Sequence, residues 1–226
     1  MTAVNFPFRD RRHAGRVLAT HLEQYRGRAG LLVLALPRGG VAVAFEVARE
    51  LRAPLDIFVV RKLGVPGHEE YAMGAIASGG VKVMNPMPGL TVSPEAIAAV
   101  VEREQAELVR REQLYRKQRP AVSLRGRPVI VVDDGLATGS TMQAAVLAIR
   151  QQHPLHVTVA VPVGARDTCA ALRQQADEVI CAETPEPFRA VGLWYQEFPQ
   201  ATDNEVCALL EEARREHAIA IRLSGD

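Results

Sequence analysis

Between residues 10 and 25 the apolar positions Ala14, Val17, Leu18, Ala19 and Leu22 return with helical spacing, and Gly27 and Gly30 stop the pattern. Residues 31–36 then form an unbroken apolar run between Gly30 and Pro37. A run this short and uniform predicts a strand buried on both faces, as in a parallel sheet. Gly39-Gly40 opens a second helix over 41–51, and Pro54 precedes another apolar run over 55–60. Strand, tight turn, helix and strand make a βαβ unit. The alternation resumes after Pro128, with a strand at 129–132, a helix at 140–151 and a strand at 155–161 closed by Pro162 and Gly164. A helix at 166–175, a short strand at 178–181 and a last helix at 203–221, capped by Thr202 or Asp203, complete it. The expected class is α/β, with an open, mainly parallel five-stranded sheet and flanking helices. Such sheets bind ligands at the carboxyl ends of their strands, which directs attention to residues 37–40 and 133–141.

The middle of the chain departs from this pattern. Residues 61–88 are rich in Gly and Pro, and 74–85 predict a hairpin turning at Gly79-Gly80. A segment this long outside the core pattern is expected to be a mobile lid, about 61–90. Ser93-Pro94-Glu95 starts a helix that runs to about 119. Its later half is dense in charge, with Leu108, Val109, Leu114 and Tyr115 as its few apolar anchors, and reads as a solvated helix or a dimer arm. Residues 183–226, carrying Phe188, Trp194, Tyr195 and Phe198, form a tail or small hood. All 226 residues are assigned to one domain.

Composition narrows the classes. Lys plus Arg is 27 against 26 for Asp plus Glu, and a net charge of +1 argues against nucleic acid as a partner. Cys169, Cys181 and Cys207 are odd in number and lack C-x-x-C spacing, so neither a disulfide framework nor a zinc site is expected, and the cytoplasm is the expected location. The first twelve residues have no apolar core of a signal peptide, and no apolar run approaches the ~20 residues of a membrane span. His153 and His156 are split by Pro154, and His68-Glu69-Glu70 lacks the second histidine of a zinc protease motif.

The chemistry concentrates in Val129-Ile130-Val131-Val132-Asp133-Asp134-Gly135-Leu136-Ala137-Thr138-Gly139-Ser140-Thr141. A buried strand delivers two adjacent carboxylates, and a small, hydroxyl-rich turn runs into a helix start. Free backbone N–H groups, the helix dipole and the hydroxyls of Thr138, Ser140 and Thr141 suit a dianionic phosphate. The two acids repel phosphate and suit sugar hydroxyls or a bridging divalent cation. The loop therefore asks for a sugar phosphate. No Lys follows Gly139, so it is not a Walker loop. At the end of the first strand, Pro37-Arg38-Gly39-Gly40 offers close backbone approach at two glycines and a charge-assisted contact from Arg38.

Residues 129–141 resemble the phosphoribosyl-pyrophosphate (PRPP) motif of type I phosphoribosyltransferases, and Arg38-Gly39-Gly40 resembles that family's pyrophosphate loop. Arg61-Lys62 through Glu69-Glu70-Tyr71 to Gly74 falls where the family keeps a mobile catalytic loop. The three segments together are similar to a bacterial group of phosphoribosyltransferases without an assigned acceptor. The resemblance implies Mg²⁺-dependent transfer of a 5-phosphoribosyl group from PRPP to a nitrogen nucleophile, a purine-like nucleobase, with release of pyrophosphate. It implies Asp133 and Asp134 on the ribose hydroxyls, Ala137, Thr138, Gly139, Ser140 and Thr141 on the 5-phosphate, and Arg38, Gly39 and Gly40 on the pyrophosphate. Arg61 and Lys62 would neutralise the leaving group, and Glu69 or Glu70 would meet the base. Mg²⁺ would be held through PRPP and water near Asp133 and Asp134, without direct protein ligation. A non-proline cis peptide in the pyrophosphate loop and a homodimer also follow from the resemblance. Ala137 departs from the many purine-salvage members that carry Asp there, so base recognition must come from the lid or the aromatic tail, with Trp194 or Tyr195 as ring partners or as packing. The other reading is a PRPP-sensing regulator without turnover.

Overall fold

A computed structural model describes residues 7–84, 92–117 and 119–224, without the side chains of residues 69, 70, 221, 223 and 224. The central sheet has five parallel strands: β1 (Leu32–Ala35), β2 (Leu55–Ile57), β6 (Pro128–Val132), β7 (His156–Val163) and β8 (Glu178–Glu183), in the order β2-β1-β6-β7-β8. Every residue of β1 and β6 is buried, which explains their uniform apolar sequence. Alternate side chains divide between two layers. Val33, Ala35, Ile130 and Val132 pack with α1 (Arg11–Thr20) and α2 (Gly40–Leu51). Leu32, Leu34, Val129 and Val131 pack with α4 (Ser140–Arg150) and α5 (Arg166–Leu172). The first helix is shorter than its periodicity suggests, giving way to a 3-10 turn at Glu23–Tyr25.

The glycine-rich middle is a second sheet, of three antiparallel strands: β3 (Val60–Val65), β4 (His68–Ala77) and β5 (Val81–Met84). The turn at Gly79-Gly80 falls where expected, both residues having positive φ. The first hairpin, however, lies in a stretch expected to be a loop, and the 55–60 run splits into β2 and the first residue of β3. Irregular pairing at Leu63, Gly64 and Val65 accounts for the weak strand signal. The expected lid continues over residues 85–90, outside the described residues.

The long helix α3 (Pro94–Arg116) begins at Ser93, whose hydroxyl accepts from Ala96 N. One face of it is packed and the other is solvated, as expected for its charge. Val100, Leu108 and Tyr115 are buried in the α1/α2 layer, while Val109 and Leu114 stay partly exposed. Its end is fixed by Arg116, whose buried guanidinium donates to Ile57 O at 2.8 Å and faces the Asp56 carboxylate at 3.3 Å. The last helix, α6 (Asp203–Ser224), packs on α2 and α3, and Tyr115 Oη donates to Asp203 at 2.6 Å. Thr202 caps α6, its hydroxyl accepting from Glu205 N.

Contrary to the cysteine count, Cys169 of α5 and Cys181 of β8 form a disulfide, with Cα atoms 6.8 Å apart, and Cys207 is free. The β7-α5-β8 connection folds the helix back on the parallel strand, so a separation of 12 residues becomes a contact that spacing alone does not reveal. No helix among the described residues is long and apolar enough to cross a membrane.

Candidate active site

β1 and β6 are neighbours running in the same direction, so the loops that follow them meet at one edge of the sheet. Leu36 N donates to Val132 O at 2.9 Å, which carries the pairing one step beyond β1 and locks the two loops together. The Pro37–Arg38 peptide is cis, as the resemblance implies. Gly39 has an ordinary helical φ of −56°, so its role is space and not conformational freedom. A Cβ on Gly39 would stand 2.0 Å from Asp134 Oδ2, and one on Gly40 would stand 2.8 Å from Val132 O and 2.9 Å from Asp133 Cα. The two glycines thus let the start of α2 press against the acid pair.

Asp133 Oδ1 accepts from Asp134 N at 2.8 Å. Enclosure, and then the neighbouring Asp134 charge, push the Asp133 carboxyl well above the usual carboxylate range. Asp134 is held from two sides. Arg11 Nε donates to its Oδ2 at 2.8 Å, and Tyr195 Oη donates to its backbone carbonyl at 2.6 Å. Burial and the Asp134 charge raise the Tyr195 hydroxyl pKa, so it remains a donor.

The turn after the acids is tied to the next strand. Leu136 N donates to Val163 O at 2.9 Å, Ala165 N donates to Leu136 O at 2.8 Å, and the Thr168 hydroxyl donates to Ala137 O at 2.7 Å. Gly139 takes the left-handed conformation at φ 73° and heads α4. Ala137, Thr138, Ser140 and Thr141 are exposed there, and the Thr138 and Ser140 hydroxyl oxygens lie 3.3 Å apart. This is a surface turn with hydroxyls at a helix N-terminus, the arrangement that suits phosphate.

The structure separates the two adjacent lid cations. Successive strand residues point to opposite faces. Arg61 turns to α3, where Nη2 meets Glu104 Oε2 at 2.6 Å. Lys62 lines a cavity of about 130 Å³ with Gly74, Ser140 and Thr141, beside the 137–141 turn. Glu69 and Glu70 lie on β4, and their side chains are outside the described residues. Arg38 is 31% exposed, with Asp203 as its partner at 3.8 Å. It shares a cavity of about 460 Å³ with Arg11, Gly39, Asp134, Val191 and Phe198.

The hood is an aromatic cluster. Phe188 and Trp194 stack with centroids 6.3 Å apart, and Tyr195 lies 4.8 Å from Phe198. Tyr195 therefore has a packing and anchoring role, not a ring-stacking one toward the cavity. Sequence reasoning missed Arg11 and Thr168. A cation at the first helical position opposes the helix dipole, and that misfit was the available signal for Arg11.

Comparison with known proteins agrees with this geometry. Residues 11–196 match the sequence profile of the phosphoribosyl transferase domain. Two Mycobacterium tuberculosis proteins, from strains CDC 1551 and H37Rv, whose names assign them provisionally to the phosphoribosyl transferases, are each 47% identical over 215 residues. The match takes in 94% of this chain and 48% of theirs, so the chain spans about half the length of these curated relatives. The crystal structure of TT1426 from Thermus thermophilus is 43% identical, with a TM-score of 0.81 over 91% of this chain and 98% of that one. The AQ2163 protein from Aquifex aeolicus shares the fold at 12% identity, with a TM-score of 0.50 over 80% of this chain and 78% of that one. With the profile matched from α1 to residue 196 and the acid pair seated against the Gly39-Gly40 turn, this chain belongs to the phosphoribosyl transferase family.

Proposed function

We propose that the chain, acting as a single unit, transfers a 5-phosphoribosyl group from PRPP to a ring nitrogen of a purine-like nucleobase and releases pyrophosphate. The observation that carries this reading is the fit of Gly39 against Asp134, where one added carbon would stand 2.0 Å from the carboxylate. With Gly39 directly against that acid, an anion taken by the backbone of this turn would lie next to sugar hydroxyls taken by Asp133 and Asp134. The exposed turn 137–141 would take the 5-phosphate, with Lys62 beside it. Arg38 and the backbone at Gly39 and Gly40 would take the pyrophosphate. Asp133 and Asp134 would take the ribose hydroxyls and favour positive charge at the anomeric carbon. In the transfer the C1–O bond breaks with its electron pair going to pyrophosphate, the nitrogen lone pair forms the new C1–N bond, and the nitrogen loses its proton.

The donors suit Mg²⁺. Among the described residues no three His, Cys, Asp or Glu converge on a metal position. Two adjacent carboxylates remain, and Mg²⁺ is commonly held by one or two carboxylates plus substrate oxygens. Asp133 and Asp134 would hold it through water and PRPP, and it would supply charge neutralisation of the leaving pyrophosphate. A homodimer is the assembly that the family resemblance supports.

Calorimetric titration of PRPP with Mg²⁺ tests the reading. Wild type should bind in the micromolar range, and Asp133→Asn/Asp134→Asn should weaken binding by at least about a hundredfold while remaining folded. Binding that survives the double substitution, or none by folded wild type, would overturn the assignment of this site. Binding without pyrophosphate release on addition of any nucleobase would favour a PRPP sensor.

A further inference from the structure

We propose that Arg11 is a positioning residue of this reaction, holding the Asp134 carboxylate while fastening the hood over the site. The proposal rests on the PRPP reading and adds a residue from α1 to the machinery. Three parts of one guanidinium are in use. Nε donates to Asp134 Oδ2 at 2.8 Å, Nη1 donates to Pro199 O at 2.7 Å, and Cζ sits 3.8 Å from the centroid of the Phe198 ring. The Arg11 and Asp134 side chains are only 12% and 16% exposed, so solvent screens the pair weakly.

The mount is rigid at both ends. Arg11 directly follows Asp10, whose carboxylate caps α1 by accepting from His13 N. α1 lies so close to α2 that a Cβ on Gly15 would stand 2.6 Å from Val43 O and 2.9 Å from Glu46 Cβ. α2 in turn starts at the turn containing Gly39, the residue that leaves room for Asp134. Asp134 is therefore enclosed by Gly39, by Arg11 and, at its carbonyl, by Tyr195, whose ring packs on Phe198. A ligand-contacting carboxylate needs this fixation, because a small misorientation is costly in a preorganised site. Only a guanidinium can offer two hydrogen-bonding edges and a flat face together, so lysine is a poor substitute here.

The test is a double-mutant cycle on Mg²⁺-PRPP binding with wild type, Arg11→Ala, Asp134→Asn and the double variant. Arg11→Ala should weaken binding about tenfold alone and less than about twofold in the Asp134→Asn background, because Arg11 acts through Asp134. Arg11→Lys should bind like Arg11→Ala, and it replaces that variant if Arg11→Ala does not fold. Equal losses in both backgrounds, or wild-type binding by Arg11→Lys, would overturn the proposal and leave the PRPP reading standing. Failure of wild type to bind Mg²⁺-PRPP overturns the reading itself, and the proposal with it.

Discussion

Two carboxylates inside this protein keep opposite company. Glu46, in the middle of α2, has no exposed surface and is surrounded by Arg12 at 2.5 Å, Arg16 at 3.3 Å and Arg49 at 2.5 Å. Asp133, at the carboxyl end of β6, lies beside a second acid, with the more distant charge of Arg11 as a minor offset. The first charge is compensated from within the chain, and it joins α1 to α2 wherever the protein goes. The second is left for something else to compensate. An acid placed where the fold gains nothing from its charge is a mark of a functional site. The ribose diol and cation inferred above are the partners that would complete it.

Breaking the compensated side should have the largest effect. Glu46→Ala leaves three half-exposed arginines in mutual repulsion and opens a cavity between the helices. It should cost about 3 kcal/mol in urea unfolding, with Mg²⁺-PRPP affinity unchanged for the protein that remains folded. A stability within ~0.5 kcal/mol of wild type would remove Glu46 from this role.

The next effect separates space from conformation at the site itself. Gly39→Ala places a methyl group against the Asp134 carboxylate and forces it off its Arg11 contact, so it should weaken PRPP binding about tenfold at a stability cost below that of Gly40→Ala. Gly40→Ala meets backbone at Val132 and Asp133 and should lose about 1–3 kcal/mol of stability as well. Equal behaviour of the two variants in melting and titration would contradict the distinction.

The legibility of the molecule follows how local its physics is. β1 and β6 are buried on both faces, so an apolar run is their whole specification, and the acids and small residues after β6 are contiguous. The sheet and the meeting of the loops after β1 and β6 could be read for that reason. Arg11 was harder to read, because its partner is 123 positions away and only the packing of α1 beside the loop after β6 creates the contact. So was the division between Arg61 and Lys62. It depends on β3 being a strand, which Gly64, Pro66 and Gly67 disguised as a loop. The charged face of α3 misled for a related reason. Glu104 and Arg116 read as solvated residues, yet they are buried partners of Arg61 and Asp56.

The smallest expected effect bears most directly on the uncompensated acid. The Asp133 carboxyl titrates above its ordinary value in the folded protein, through enclosure first and the Asp134 charge second. The native state therefore holds this proton at pH values where the unfolded chain has released it. Its contribution is present below the ordinary carboxylate range and is lost as pH rises through the raised native value. Asn at this position keeps the shape and never ionises. Asp133→Asn should therefore melt higher than wild type at pH 8, and the difference should shrink toward pH 4. Other titrating groups cancel between the two proteins, so the pH dependence of the difference reports on Asp133 and its coupling to Asp134. A melting difference that is the same at both pH values would show that Asp133 already has its compensating partner within the fold, and the contrast with Glu46 would disappear.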